Sequence, residues 1–258
     1  MVVVDYAAAL GACARLNHYR FLSSAPPVEL DYDLSRGCQL HAEYMRLNGI
    51  LLRDVGLEAH HESPGAPGYS MAGVLAASNS VIYQGVVPVE AIDNWMNTLY
   101  HRLGLLDPNL QRIGFGSSGD IQVMDIEQGR LKGALAQQGV AVYPVAGMMD
   151  VPGEFIREIP YPVPGDDYLG IPVTIEFFGA FGLAIQHVGV RLTDIATGQE
   201  VPCYLQYPGK PILEGWDHSQ LIVLLPADPL APGRTFQVSV AAQLDGQPFG
   251  MQWRFSTK

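Results

Sequence analysis

The sequence predicts an α+β protein of two domains, a mixed α/β domain over residues 1–138 and an all-β sandwich over residues 139–258. Two observations carry this reading. Apolar residues recur at helical spacing before residue 138 and alternate with period two after it. Proline usage shifts at the same point, with six of the 19 prolines before it and 13 after it. A length of 258 residues accommodates two ordinary domains or one large one, and either buries enough apolar surface for a stable core.

The elements follow in order. Residues 4–21 read as a helix with Tyr6, Leu10, Ala14, Asn17 and Phe21 on one face, stopped by Pro26 and Pro27. Asp33 is placed to cap a second helix running to Leu47. Its apolar face is Leu34, Cys38, Ala42 and Met45, and Asn48-Gly49 ends it. Residues 61–70, with two prolines, two glycines and no period, are a loop. Pro88 suits the first turn of a third helix. Val89, Ile92, Trp95, Met96 and Leu99 form its apolar face, and it ends near Gly104. Strands are predicted at 111–115 and 121–126, and in the second domain at 140–145, 171–178, 188–194, 221–225, 235–244 and 249–256. The last two are the clearest. Phe236, Val238 and Val240 alternate with polar residues, as do Met251, Trp253 and Phe255, and Asp245-Gly246 between the two runs is a hairpin signal. Thr197-Gly198 marks another turn. Short strands separated by turns point to a sandwich.

Bulk composition narrows the function. The chain is 48% hydrophobic and 16% charged, which are globular values. A net charge of −11, with 15 scattered Lys and Arg, argues against nucleic acid and against an anionic membrane surface. No apolar run approaches the roughly 18 residues of a transmembrane segment. Residues 1–5 lack the basic region and apolar length of a secretory leader. The chain is therefore either cytosolic or one whose leader has been removed. Of the three cysteines, Cys13 and Cys38 fall on consecutive predicted helices. They either form a disulfide or remain two small buried thiols, and Cys203 is expected as a free thiol in a strand. No CxxC pair is present, which disfavours a zinc ribbon or a thioredoxin-type site.

Several motifs fail on context. Gly114, Gly116 and Gly119 fit G-x-G-x-x-G, but a strand follows where a dinucleotide site needs a helix, so a turn is the better reading. There is no G-x-S-x-G elbow and no P-loop lysine motif, and His61-Glu62 lacks the second histidine of HExxH. Glu29, Asp31 and Asp33 read as a solvated turn with a helix cap, Trp95 as core, and Trp216-Asp217-His218 as an inter-strand loop. The histidines carry more interest. His60 and His61 stand at the head of the Gly/Pro loop beside Glu62, and His101 closes the third helix. Two imidazoles with a carboxylate can bind zinc and leave positions open for water or substrate. Against that, a histidine at a helix C-terminus also interacts well with the helix dipole. His18 and His41 read as packed or surface residues, and His187 and His218 have no evident partner in the sequence.

Taken together, these residues resemble the CAP superfamily of cysteine-rich secretory, antigen-five and pathogenesis-related proteins, in its bacterial form. The likeness runs through Asn17–Arg20, residues 34–47 with His41 and Tyr44, His60 before the variable loop, residues 91–98 around Trp95, His101-Arg102, and residues 113–116. It spans essentially the whole first domain. Residues 170–174 and 230–236 resemble the Ig-like modules that follow such domains in bacterial surface proteins. The resemblance implies an α-β-α sandwich with a cleft holding two histidines and two acids, sometimes with zinc. His101 matches the second histidine. His60, preferred over His61, matches the first, with Glu62 beside it. Both acids are missing: Ala72-Gly73-Val74 stands where an acid is expected, and so does Thr98. The implied protein is exported, either secreted or at the cell surface or periplasm, and binds a small molecule, lipid, cell-wall material or protein through the His60/His101 cleft without catalysis. One alternative is a zinc hydrolase built on His60 and His101, with Glu62 as base. The other is a structural or adhesive surface protein acting through the Ig-like domain.

Overall fold

The computed structural model describes residues 3–133, 138–166, 168–179 and 184–258. They divide into two compact units. The first comprises Met1–Phe21, Pro26–Met96 and Tyr100–Gly133, and the second comprises Leu22–Ala25, Asn97–Leu99 and Ala134–Lys258. The predicted boundary at residue 138 adjoins 134–137, which lie outside the described residues.

In the first unit the order is α1 (Tyr6–Leu22), β1 (Glu29–Leu30), α2 (Tyr32–Leu47), α3 (Leu52–Val55), a 3-10 turn (Gly56–His60), α4 (Met71–Ser78), β2 (Ser80–Gln84), α5 (Pro88–Met96), α6 (Tyr100–Leu106), β3 (Arg112–Ser118) and β4 (Ile121–Asp125). The four strands form a mixed sheet in the order β1-β3-β4-β2. The β1–β3 pair is parallel and the other two pairs are antiparallel. Strand alternation sends Ile82 to one face, into a cluster with Cys38, Ala42 and Met45 of α2 and Ala76 of α4. Its neighbour Tyr83 goes to the other face, edge-on to Trp95 of α5 at 6.4 Å. Helices therefore cover both faces of the sheet.

Helix α2 also does the work of a missing strand. Beyond its two-residue pairing with β1, β3 has an unpaired edge, and buried backbone groups there need partners. Ser35 and Gln39, one helical turn apart, supply them. Phe115 N–H donates to Ser35 Oγ (3.1 Å), Ser117 N–H donates to Gln39 Oε1 (3.2 Å), and Gln39 Nε2 donates to the Ser117 carbonyl (2.6 Å). This approach requires glycine in the strand. A Cβ at Gly114 would lie 2.4 Å from the Leu34 carbonyl carbon, and one at Gly116 would lie 2.2 Å from the Gln39 nitrogen. Two glycines of the G-x-G-x-x-G run are thus packing residues within β3. Gly119, at φ +64, makes the turn into β4.

Three expectations are corrected here. Helix α1 forms, but its predicted apolar face points outward. The buried side is Ala9, Ala12, Cys13, Leu16 and Tyr19, while Tyr6, Leu10 and Phe21 are exposed. Asp31, not Asp33, caps α2, its Oδ1 accepting from the Asp33 and Leu34 amides. The single third helix is two, α5 and α6. The Met96 carbonyl, which would accept from the residue-100 amide in a continuous helix, instead accepts from Arg102 Nε at 2.6 Å. Gly104 lies inside α6, where a Cβ would meet Ile126 Cδ1 at 2.3 Å. The sequence reading also missed α3, the 3-10 turn, α4, β1 and β2.

A buried cation fastens the helices to the loops. The Arg20 guanidinium donates to the carbonyls of Pro26 (2.6 Å), Leu105 (2.5 Å), Asp107 (3.1 Å) and Leu110 (3.2 Å). Those bonds close the α1–β1 connection and the end of α6. Lysine, with three donors on one nitrogen, could not serve four carbonyls spread around it in this way.

The second unit is all β. Its strands are β5 (Gly139–Tyr143), β6 (Val173–Phe178), β7 (Ile185–Asp194), β8 (Cys203–Gln206), β9 (Leu221–Pro226), β10 (Thr235–Leu244) and β11 (Gln247–Ser256). They make a four-stranded sheet, β5-β6-β9-β8, and a three-stranded sheet, β11-β10-β7, with antiparallel pairing throughout. Inward residues of both sheets, among them Val173, Ile175, Leu192, Ile222, Val238 and Phe255, share one core. The Trp253 indole N–H is satisfied by the Pro144 carbonyl at 2.8 Å. The predicted β10–β11 hairpin forms through Asp245-Gly246 with both residues at positive φ, as a two-residue turn of this type requires.

Gly116→Ala is expected to lower stability by about 1–3 kcal/mol, because helix backbone cannot make room for the added methyl. Urea unfolding checks this, as a lower midpoint at unchanged slope.

Candidate functional site

Helix α2 presents a polar row at one- and two-turn spacing, His41, Tyr44 and Asn48, and the row fastens the connection between the 3-10 turn and α4. His41 Nε2 bonds the Ala59 carbonyl at 2.9 Å, and its Nδ1 lies 3.0 Å from Glu62 Oε1. The Ser63 amide donates to the Tyr44 hydroxyl at 2.9 Å. Asn48 Nδ2 donates to the Pro67 carbonyl at 2.8 Å. The Gly/Pro loop therefore has a defined path, set from outside itself. Its own sequence has no period from which that path could be read.

Glu62 is the inner anchor. Its side chain and that of His41 are both 0% exposed. Oε2 accepts from the Ser70 amide at 3.0 Å, while Ser70 caps α4 through its hydroxyl, which accepts from the Gly73 amide at 3.0 Å. A carboxylate is favoured at a helix start. A Cβ at Gly73 would sit 2.2 Å from Glu62 Oε1, so the carboxylate fills the space that a side chain at position 73 would take. That is one of the two positions at which the resemblance expected an acid. The Glu62 carboxylate therefore stands beside that position, and glycine at 73 is the condition for it. The proton positions follow from the acceptors. Nε2 faces a carbonyl and carries a hydrogen, so one further proton lies between Nδ1 and Oε1. Each oxygen of Glu62 thus has a partner of its own, Oε1 the His41 imidazole and Oε2 the Ser70 amide.

His60, next to this pair, is half-buried, and its Nδ1–H donates to the Ala77 carbonyl of α4 at 2.9 Å. That bond fixes the tautomer and leaves Nε2 as the lone-pair nitrogen. Burial pushes the imidazole pKa below its ordinary value. The Ala77 bond opposes the shift, and the nearby imidazoles of His41, His101 and His61 add to it. His60 and His101 are thus within electrostatic reach of each other. His101 is the second residue of α6, at a helix start and not a helix end, so the favourable dipole contact expected for it does not arise. His61 is exposed, 3.8 Å from Glu58 across the surface.

The disulfide weighed for Cys13 and Cys38 is not formed. All three cysteines are free thiols. Cys13 lies 3.8 Å from the Val28 carbonyl, and Cys38 is packed beside Asp125. Burial raises the pKa of both, and Cys203 is pushed up to about 12. A zinc centre is not well matched by the donors present. Among the described residues no group of three or more His, Cys, Asp or Glu could hold a metal ion, and Glu62, the third donor expected from the sequence, is committed to His41 and Ser70.

Two predictions follow from this geometry. Glu62→Ala orphans the buried His41 Nδ1 and the Ser70 amide, and is expected to cost about 3–5 kcal/mol. Glu62→Gln should lose far less, since its amide can donate to Nδ1 and accept from Ser70. Thermal unfolding of the two variants separates these outcomes. Because the His60 pKa is depressed on folding, the unfolded chain binds more protons near the ordinary value of about 6.5. Stability is therefore fully present above that pH and declines as pH falls through the folded value. Proton NMR of the imidazole should show titration below about 6.5, and His60→Gln should flatten the acid limb of the stability profile.

Comparison with known proteins agrees with the first unit. No curated protein matches the chain. Among solved structures, a DUF4426 family protein from Pseudomonas aeruginosa PAO1 aligns at 14% identity over 35% of this chain and 76% of its own, with a TM-score of 0.24, too slight a likeness to bear on the fold. Residues 13–123 match the profile of CAP, the cysteine-rich secretory protein family. That stretch runs from the buried face of α1 to the middle of β4 and takes in the His41–Glu62 pair, His60 and His101, so the candidate site lies within the stretch that matches the CAP profile.

Proposed function

We infer that the CAP domain is a binding module that takes its ligand beside His60 and His101 without transforming it. The observation that supports this is the commitment of Glu62. A hydrolase built on His60 needs a carboxylate free to take a proton from water, and both oxygens of Glu62 are engaged in a solvent-excluded pair. His60 itself offers a neutral, oriented acceptor nitrogen suited to a hydroxyl or amide donor on a ligand. Lipid, cell-wall material or a protein segment supplies such donors. Export, in keeping with the family's description as secretory, is part of this reading. No helix among the described residues is long and apolar enough to cross a membrane.

The second unit is proposed as an Ig-like module that carries or displays the first. Its strand order supports this. Numbered in sequence, the first, second, fifth and fourth strands form one sheet, and the third, sixth and seventh form the other. That is the layout of a constant-type immunoglobulin sandwich. The inter-sheet disulfide of antibody domains has no counterpart, since Cys203 is a free thiol.

Imidazole NMR of the full chain, titrated with peptidoglycan fragments, lipid micelles and a peptide pool, tests the binding reading. His60 and His101 signals should shift with one ligand class and no turnover. His101→Ala should weaken that binding about tenfold or more, the loss of one or two hydrogen bonds. Zinc-stimulated ester or peptide hydrolysis abolished by Glu62→Gln would overturn the reading in favour of the hydrolase.

A further inference from the structure

Helix α1 is apolar on both sides. Its inner side, Ala9, Ala12, Cys13, Leu16 and Tyr19, belongs to the core. Its outer side repeats the pattern, with Tyr6 41% exposed, Leu10 54% and Phe21 81%. A helix apolar all round is normally covered all round. The outer face extends beyond the helix. The Tyr32 ring meets the Tyr6 ring edge-on at 5.0 Å, and a Cβ built at Gly11 reaches the Val89 side chain at 4.0 Å. Tyr32 and Val89 are both exposed.

The charge on this face is as distinctive as its apolarity. The chain carries a net charge of −11, yet the 17 residues of α1 include no Asp or Glu. The cations on α1 are also withdrawn from this face: Arg15 is paired with Asp93 at 2.6 Å and Arg20 is buried. Two copies of a strongly acidic chain repel each other across most surfaces. Along α1 itself they can meet without opposing carboxylates, the exposed Asp5, Asp33 and Glu90 standing at the border of the face. Tyr6, Leu10, Phe21, Tyr32 and Val89 together offer roughly 550 Å² per copy, or about 1,100 Å² for a pair, which clears the lower bound for a specific interface.

We propose that α1 is a self-association surface on which a second copy of this chain docks with its α1 antiparallel, about a twofold axis near Ala14. The direction follows from side-chain size. The midpoint of the stripe from Tyr6 to Phe21 falls between Cys13 and Ala14, and of these two Ala14 is the exposed one. Antiparallel pairing about it sets Phe21 over Ala7 of the second copy and Leu10 opposite His18, with Gly11 and Ala14 letting the backbones approach. Parallel pairing would oppose Phe21 to Phe21 and leave Ala7 facing Ala7, filling one end and emptying the other. The antiparallel arrangement also opposes the two helix dipoles favourably. Being isologous, the contact closes at two copies.

Sedimentation equilibrium of the full chain over roughly 1–200 µM, the range suited to an interface of this size, should show the mass rising from 28.0 kDa towards twice that value. Leu10→Glu and Phe21→Glu should each hold the mass at the monomer value with thermal unfolding unchanged, because neither residue belongs to the core. Ala14→Cys, oxidised with copper–phenanthroline, should cross-link to its own copy, while the native Cys13 and Cys38 remain buried. A chain that stays monomeric throughout, or a dimer that withstands both Glu substitutions, overturns the proposal. So does a monomer that binds phosphatidylcholine vesicles through Phe21, which would assign the face to lipid. A dimer without the Ala14 cross-link overturns the antiparallel register.

Discussion

The buried contact between His41 and Glu62 sets the geometry of everything around the candidate site. Both side chains are closed to solvent, and each has a second bond, to the Ala59 carbonyl and to the Ser70 amide. Those four points belong to α2, the 3-10 turn, the Gly/Pro loop and the start of α4. A buried ionisable pair contributes little net stability against an apolar replacement, but it is costly to break. Its effect here is positional. It brings the 3-10 turn against α4, so that His60 meets the Ala77 carbonyl in one tautomer, with its other nitrogen left as an acceptor.

In the proposed binding reading, the same pair separates binding from catalysis. A carboxylate beside an imidazole in sequence suggests an acid–base partner for His60, but Glu62 turns the other way. Its place against Gly73 is a packing solution. The helix start at Ser70 attracts the carboxylate, and the absence of a side chain at 73 makes room for it. His60 is thereby left half-buried among imidazoles, and burial first, the neighbouring imidazoles second, lower its affinity for protons.

Glycine and arginine organise the surrounding domain in a related way. Gly114 and Gly116 let α2 lie against the edge of β3, where Ser35 and Gln39 satisfy the strand's backbone groups. Arg20 gathers four carbonyls from the α1–β1 connection, the end of α6 and the α6–β3 connection. In both cases a polar group that burial would otherwise penalise is satisfied by a residue distant in sequence, so the helices and sheet are tied through the backbone as well as through apolar contact.

The sequence by itself determined the division into helical and all-β parts, the α2 helix with its apolar face, Trp95 as core, and the β10–β11 hairpin. These depend on periodicity and turn chemistry, which act between near neighbours. It also singled out His60, Glu62 and His101 as candidates, first as two imidazoles with a carboxylate and then through the CAP resemblance. The tertiary structure decided the rest. It chose which of two apolar faces of α1 to bury, a choice periodicity cannot make when both faces are apolar. It divided the third helix, because Arg102 competes for the Met96 carbonyl. It also paired Glu62 with His41, 21 residues away, rather than with the adjacent His60. A carboxylate closed off from water goes to the partner that satisfies it, and only the packing of α2 against α4 puts that partner within reach.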